Sequence, residues 1–149
     1  MKRIMLIGTR AAGKTTLCQK IMGESLSYKK TQAIEFIGSD IIDTPGEYLE
    51  QRNLYRALTI TAVDADIILF VLDATEEQNM FAPMLSQMFT KPCIGVITKS
   101  DIASDMAIQN AKQTLKLAGT EKMFTVSSVS GQGIEELVFY LQEDETDNF

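Results

Sequence analysis

Apolar residues in this chain follow two patterns: short continuous runs, and longer segments with helical spacing. Continuous runs are typical of strands buried on both faces of a sheet, and they lie at residues 3–8, 66–73, 92–98 and 123–126. Segments with helical character lie between or after these runs, at residues 14–22, 49–63 (with breaks), 80–89, 104–117 and 133–142. The chain therefore alternates predicted strands with predicted helices.

The part of the chain between the first predicted helix and residue 49 has a different pattern. Residues 23–32 are polar and predict a loop, whereas residues 33–37 alternate apolar with polar side chains. A turn at 38–39 and a short run at 40–43 complete the pattern of an antiparallel hairpin. The predicted fold is three-layered α/β, with helices on both faces of a six-stranded, mostly parallel sheet that has one antiparallel strand.

Composition excludes several kinds of site. The 149 residues include no histidine, which excludes Ser-His and Cys-His catalysis and histidine-ligated metals. A net charge of −6 argues against a DNA or RNA partner. No run approaches the roughly 18 apolar residues of a membrane span, and the two cysteines have no disulfide or zinc spacing. We expect a cytoplasmic protein with one domain at residues 1–143 and an acidic tail at 144–149.

A phosphate-binding pattern follows the first predicted strand, at the end of the strand where ligands of parallel sheets bind. Residues 8–15 read Gly-Thr-Arg-Ala-Ala-Gly-Lys-Thr and match G-x-x-x-x-G-K-[ST]. Backbone N–H groups and the positive end of the next helix would face the anion, Lys14 would add a full charge, and Thr15 would bind Mg²⁺. The residues expected to contact nucleotide here are Gly8, Thr9, Arg10, Ala11, Ala12, Gly13, Lys14, Thr15 and Thr16.

A second pattern, D-x-x-G, starts at the end of the run at 40–43. Asp43 would hold Mg²⁺ through a water molecule, and the N–H of Gly46 would reach the γ-phosphate. Alone, Asp-Thr-Pro-Gly is typical of an ordinary turn, but its place after a strand and downstream of the phosphate loop favours the functional interpretation. Thr31 is a further candidate, as a switch threonine that caps Mg²⁺ and the γ-phosphate. Lys29 and Lys30 beside it could contact phosphate or a partner, and a solvated loop is the alternative for these lysines.

Two patterns that could recognise a base follow later strands. Thr98 to Asp101 read Thr-Lys-Ser-Asp and match [NT]-K-x-D. The Asp101 carboxylate could accept both N1–H and N2–H₂ of guanine, while the stem of Lys99 packs along the base or ribose. The alternative is a helix cap at Ser100 or Asp101. After the last predicted strand come Ser127 and Ser128, where a backbone N–H would bind the O6 atom of the base.

Together these residues resemble the Ras-like and Era-like P-loop GTPases over nearly the whole chain. A narrower resemblance is to the EutP/PduV family. The segments that carry it are residues 1–8, 28–32 and 42–48, together with Glu50, Arg52, Ala65-Asp66 and 98–101. The resemblance implies a role in bacterial ethanolamine or propanediol utilisation, in association with protein-shelled microcompartments.

The chain also departs from the GTPase pattern at four positions. Thr98 stands where most GTPases have an asparagine that ties the base-binding loop (residues 98–101, the base loop) to the phosphate loop (residues 8–15). Glu47 stands where many Ras-like proteins have a glutamine that orients water, and it could act as a base or point away. Ala11 replaces the asparagine with which Era-like proteins bind a monovalent cation, and Arg10 replaces a glycine of Ras. With Lys14, Arg10 and Glu47 are the catalytic candidates, and slow turnover is expected.

Three functions remain open at this stage. The first is a GTP-binding, slowly hydrolysing switch or assembly factor that uses Mg²⁺ and GTP/GDP, with ATP as the other possible nucleotide. The second is phosphoryl transfer from ATP to acetate, which members of the family have been assigned. The third is a nucleotide-dependent adaptor that contacts a microcompartment shell or pathway proteins, which an exposed apolar patch on residues 54–63 would favour.

Overall fold

A parallel sheet of five strands forms the centre of the protein in the computed structural model, which describes residues 2–9, 12–28, 41–44, 49, 51–76 and 81–142. The strands are β1 (Ile4–Ile7), β2 (Ile41–Asp43), β3 (Ile67–Asp73), β4 (Cys93–Thr98) and β5 (Met123–Thr125). Their order in the sheet is β2-β1-β3-β4-β5, and every neighbouring pair is parallel. The α/β fold predicted from the sequence is confirmed. The predicted antiparallel strand at 33–37 lies outside the described residues, so the described sheet has five strands where six were predicted.

Four α-helices are described around this sheet. They are α1 (Lys14–Tyr28), α2 (Tyr55–Ala62), α3 (Asp105–Leu117) and α4 (Ile134–Gln142). Side chains that alternate along each strand enter two separate cores, one per face. Leu6 of β1 packs in the core that includes residues of α1 and α4, whereas Met5 packs in the core that includes residues of α2 and α3. The predicted three layers follow from this alternation.

The prediction of a helix at 80–89 was wrong for residues 81–89, the part of it that the structure describes. A short 3₁₀ turn, Leu85–Met88, replaces it. Met84 has a left-handed backbone with φ of 64°, and its N–H donates to the carbonyl of Leu117 at 2.8 Å. Ser86 N–H similarly donates to the carbonyl of Ala118 at 2.9 Å. Backbone bonds to the end of α3 therefore replace those of a local helix, while Leu85 still enters the core.

The first helix is longer than predicted, because α1 continues through Gly23 to Tyr28. A glycine inside a helix costs about 1 kcal/mol relative to alanine, which the rest of this 15-residue helix offsets. No helix among the described residues is long and apolar enough to cross a membrane.

The strand order determines where a ligand can bind. β1 pairs with β2 on one side and with β3 on the other, so the chain changes direction across the sheet at β1. In open α/β sheets, ligands bind in the crevice beyond the carboxyl ends of the strands at such a switch point. The residues directly after β1 therefore lie at the expected ligand position.

Candidate functional site

The loop that connects β1 to α1 depends on two glycines. A Cβ atom on Gly8 would lie 2.6 Å from the backbone oxygen of Val71 in β3, so no larger residue fits there. Gly13 has φ of +86°, a left-handed conformation that other residues rarely adopt. Next to it, the Ala12 N–H donates to the carbonyl of Thr9 at 3.1 Å and closes the loop. The described part of the loop thus has the tight backbone that a phosphate cradle requires. Arg10 and Ala11 lie outside the described residues.

Lys14 places its charge inside this loop. Its side chain is buried, and Nζ donates to the carbonyl oxygens of Gly8 at 2.9 Å and Thr9 at 2.8 Å. Thr15 and Thr16 are exposed on the first turn of α1, at the positive end of the helix. A fixed cation, a helix N-terminus and two hydroxyl groups therefore come together at one edge of the sheet.

The loop after β2 is anchored to β1. Asp43, the last residue of β2, is in register with Leu6 of β1. The backbone N–H and Oγ1 of Thr44 both donate to the carbonyl of Leu6, at 3.3 and 2.6 Å. This anchor brings the backbone of Asp43 beside the end of β1, directly before the phosphate loop.

The oxygen donors on this edge fit Mg²⁺, which is usually bound by one or two carboxylates together with substrate phosphates and water. Among the described residues, no group of three or more Asp, Glu, Cys or His could hold a metal ion alone. Thr15 supplies a hydroxyl and Asp43 is the predicted carboxylate. Thr31, Gly46 and Glu47 lie outside the described residues.

Thr98, at the end of β4, connects the two halves of the site. Its Oγ1 donates to the carbonyl of Ala12 at 2.8 Å, and the carbonyl of Leu72 lies at 3.4 Å. Both Thr98 and Ala12 are buried. The loop after β4 is therefore fixed to the phosphate loop by a hydrogen bond from threonine, at the position where the sequence comparison with GTPases expects asparagine.

Asp101 is exposed, and its carboxylate is oriented by a neighbouring loop. The buried hydroxyl of Ser127 donates to Asp101 Oδ1 at 2.9 Å. Ser127 is fixed in turn by its backbone, since its N–H donates to the carbonyl of Gln132 at 2.9 Å and its carbonyl accepts from Gly131 N–H at 2.8 Å. Ser128 follows in the same loop and is half-buried. The two predicted base-recognition segments therefore lie together.

The alternative role for Asp101, a helix cap, is filled by another residue. Ser104 precedes α3, and its Oγ accepts from the N–H of Ala107 at 3.1 Å. Asp101 lies three positions before this cap, at the surface of the site.

An acidic segment from Asp73 to Glu76, which begins at the last residue of β3, was not predicted from the sequence. The Oδ2 atom of Asp73 lies 2.7 Å from Nζ of Lys99, and its Oδ1 accepts from the N–H and Oγ1 of Thr75 at 2.8 and 2.6 Å. Burial raises the pKa of Asp73, but the hydrogen bonds from Lys99 and Thr75 outweigh burial and the net pKa is lowered. Its position at the end of an apolar strand was a signal available in the sequence, although Asp73 lacks the D-x-x-G motif that pointed to Asp43.

Glu76 extends this segment to the phosphate loop. Its Oε1 accepts from Oγ1 of Thr9 at 3.0 Å. Its other oxygen, Oε2, is buried and has no hydrogen-bond partner in the part of the chain that the structure describes. The four residues from Asp73 to Glu76 thus contact both the phosphate loop and the loop after β4.

Comparison with solved structures supports this description of the fold. Translation elongation factor SelB from Methanococcus maripaludis in its apo form has a TM-score of 0.63 and 24% identity, over 93% of this chain and 32% of that one. A bacterial selenocysteine-specific elongation factor, EF-Sec, has a TM-score of 0.64 and 24% identity, over 95% and 28%. The chain spans about a third of the length of these proteins, and the similarity shows that it has the fold of P-loop GTPases.

Comparison with sequences is more specific. Propanediol utilization protein PduV from Citrobacter freundii is 44% identical over 98% of this chain and 97% of its own. A protein named "Probable acetate kinase EutP" from Escherichia coli K12 is 37% identical over 95% and 89%. GTPase Era from Brucella suis is 30% identical over 94% of this chain and 51% of its own. The family PduV-EutP, described as ethanolamine utilisation and propanediol utilisation, matches residues 1–143. The chain therefore belongs to the PduV-EutP family.

Proposed function

We propose that this protein binds guanine nucleotide with Mg²⁺, hydrolyses GTP slowly, and acts as a switch or assembly factor in ethanolamine or propanediol utilisation. The observation that carries the proposal is the hydrogen bond of 2.9 Å from Ser127 Oγ to Asp101 Oδ1. It orients an exposed carboxylate in the loop that Thr98 fixes to the phosphate loop. Such a carboxylate can accept two N–H donors from guanine, whereas adenine has no such pair of donors on that edge.

The phosphate half of the site supports the same proposal. Lys14 places a cation within the loop, and Thr15 and Asp43 are the residues that would hold Mg²⁺. Mg²⁺, when bound, would neutralise charge on the β- and γ-phosphates. Transfer of the phosphoryl group to water then depends on positioning and electrostatics rather than on a covalent intermediate. Slow turnover is proposed because Glu47 replaces the glutamine that orients water in many Ras-like proteins.

Calorimetric titration of the protein with GDP, GTP and ATP, with and without Mg²⁺, tests this function. We expect guanine nucleotides to bind at least about tenfold more tightly than ATP, since a bond to a charged group contributes about 1.5–3 kcal/mol. Asp101→Ala should remove this preference while leaving the contacts of the phosphates. The matched control is Asp64→Ala, at an exposed turn after α2. Equal affinity for ATP and GTP, or indifference to Asp101→Ala, contradicts the proposal.

The names of two relatives favour a second candidate, phosphoryl transfer from ATP to acetate. Two EutP proteins, from Escherichia coli and Salmonella typhimurium, are named as probable acetate kinases and are 37% and 36% identical to this chain. An assay with nucleotide labelled at the γ-phosphate and with acetate separates the two functions. Label in acetyl phosphate supports the kinase, and label only in inorganic phosphate contradicts it.

The third candidate, an adaptor, is favoured by two exposed apolar residues at the end of α2. Ile60 is 63% exposed and Val63 is 72% exposed, one helical turn apart. A comparison of proteins captured by the GDP-bound and GTP-bound forms would test a switch that uses this surface. Capture of the same shell or pathway proteins by both forms would count against a switch. Capture of the same proteins by the double variant Ile60→Ser, Val63→Ser would count against the use of this surface.

A further inference from the structure

We propose that Asp73 is a positioning residue for base selection, which acts by holding Lys99 and, through Lys99, the loop that presents Asp101. The inference rests on the nucleotide-binding function proposed above. Asp73 Oδ2 and Lys99 Nζ are 2.7 Å apart, in an ion pair whose carboxylate side chain is 5% exposed and whose lysine side chain is 40% exposed. A charge-assisted bond of this length with one buried partner fixes the far end of the lysine side chain.

The backbone of Lys99 explains why this bond matters for its neighbours. Lys99 has φ of 62°, a left-handed conformation that costs a residue with a Cβ atom about 1–2 kcal/mol. Its carbonyl accepts the N–H groups of Ile102 and Ala103, both at 3.2 Å, in the turn that leads to α3. Asp101 lies inside that turn. The conformation of Lys99 therefore sets where the turn places Asp101, whose carboxylate Ser127 then orients, and the ion pair offsets the cost of that conformation.

Asp73 is itself held rigidly, which a positioning residue must be. It is the last residue of β3 and is in register with Thr98 of β4. The N–H of Ala74 donates to the carbonyl of Thr98 at 3.1 Å. Thr75 fixes the other carboxylate oxygen through two hydrogen bonds, of 2.8 and 2.6 Å. The anchor of the loop at residues 98–101 is thus fixed by the backbone of the sheet and by Thr75.

The test compares GDP with inosine diphosphate (IDP), which lacks the 2-amino group, so that their affinity ratio reports how well Asp101 is placed. Asp73→Asn keeps the acceptor for Thr75 and removes the charge that holds Lys99. We expect the dissociation constant of GDP to rise about tenfold and that of IDP about threefold, so the ratio falls. Equal changes for both nucleotides, as a general loss of structure would give, or no change, would overturn the inference.

A second set of variants tests the same inference without relying on Asp73→Asn alone. Lys99→Gln should lower the GDP:IDP ratio as Asp73→Asn does, and the double variant should lower it no further, because both act through one bond. Additive effects would contradict this. Thr75→Val, which removes one bond to Asp73, should shift the ratio in the same direction by a smaller factor, and it keeps the test valid if Asp73→Asn folds poorly.

The matched control is Asp64→Asn, at an exposed turn, which should leave the ratio unchanged. Failure of the proposed function has a different signature from failure of this inference. A wild-type protein that binds GDP and IDP equally contradicts guanine selection itself and the inference with it. A wild-type protein that prefers GDP, with an unaltered ratio in Asp73→Asn, contradicts only the role of Asp73.

Discussion

Thr98 makes the connection between the two halves of the site with one hydroxyl group. A hydroxyl has one proton to donate, and it goes to the carbonyl of Ala12 at 2.8 Å, leaving that of Leu72 at 3.4 Å. The amide of an asparagine has two N–H donors. The phosphate loop and the base loop are therefore joined here by one short hydrogen bond from a side chain. An asparagine at this position could donate two.

Thr98→Val tests the importance of this bond, because it changes little but the hydroxyl. The buried carbonyl of Ala12 loses a donor, so we expect the free energy of unfolding to fall by about 1–2 kcal/mol in urea denaturation, with weaker GDP binding. The control is Thr59→Val, whose hydroxyl donates to the carbonyl of Arg56 in an exposed part of α2. It should change stability by less than about 0.5 kcal/mol. A similar loss in both variants would contradict the prediction.

Asp73 makes a prediction about acid stability. Burial raises the pKa of its carboxyl, but the bonds from Lys99 and Thr75 lower it more, to a net value below the ordinary 3.8. A group whose pKa is depressed by folding stabilises fully above its unfolded pKa and loses this effect as pH falls through the folded value. The stability difference between wild type and Asp73→Asn should be constant from about pH 5 to 7 and shrink below about pH 4. Urea denaturation across this range measures it, and a difference that is undiminished at about pH 2.5 would contradict it.

At the scale of elements, the segment at 81–89 shows where a correct apolar pattern predicts the wrong structure. Phe81 and Leu85 are buried four positions apart, as they would be on a helix. The rings of Phe70 and Phe81 stack with centroids 5.2 Å apart. Pro83 has no N–H to donate, and Met84 takes φ of 64°, so the backbone does not continue as a helix. Burial of the side chains was predictable, whereas the backbone bonds to the end of α3 depend on tertiary contacts.

Substitution of Met84 distinguishes the observed turn from the predicted helix by the sign of its effect. Met84 is 59% exposed, so its side chain contributes little burial. Because glycine adopts the left-handed conformation without strain, Met84→Gly should be more stable than Met84→Ala by about 1 kcal/mol. In a helix, glycine would instead be less stable than alanine by about 1 kcal/mol. Chemical denaturation of the two variants gives the answer.

At the scale of the whole molecule, the α/β alternation of strands and helices could be predicted from the sequence, apart from the helix predicted at 80–89. Continuous apolar runs are typical of buried parallel strands, and the spacing G-x-x-x-x-G-K-[ST] is typical of a phosphate-binding loop. The Asp73–Lys99 pair could not be predicted, because strand register and a left-handed Lys99 bring together residues 26 positions apart. The sequence indicated candidate residues one at a time, from their motifs. Which distant side chains contact each other became known only from the three-dimensional structure.

Burial in the core also lowers the reactivity of the Cys93 thiol. Burial, and then the charge of Glu121, raise the pKa of the Cys93 thiol to about 12. Since thiolate is the reactive form, we expect Cys93 in the folded Cys18→Ala variant to react with a disulfide reagent at about pH 8 at least about a hundredfold more slowly than in denaturant. Absorbance of the released thiol measures this rate. Rapid labelling of the folded protein would contradict the prediction.

The bond between Thr98 and Ala12 has a consequence for the order of events during synthesis. It joins residues 86 positions apart, and the bond from Thr9 to Glu76 spans 67 positions. Contacts this distant along the chain form late, because closing a long loop costs entropy before the contact stabilises it. A nascent chain that ends before β4 already has the whole phosphate-loop sequence but lacks the strand that fastens it. We therefore expect the proposed nucleotide binding to begin only at the last stage of translation, when β4 and β5 have left the ribosome.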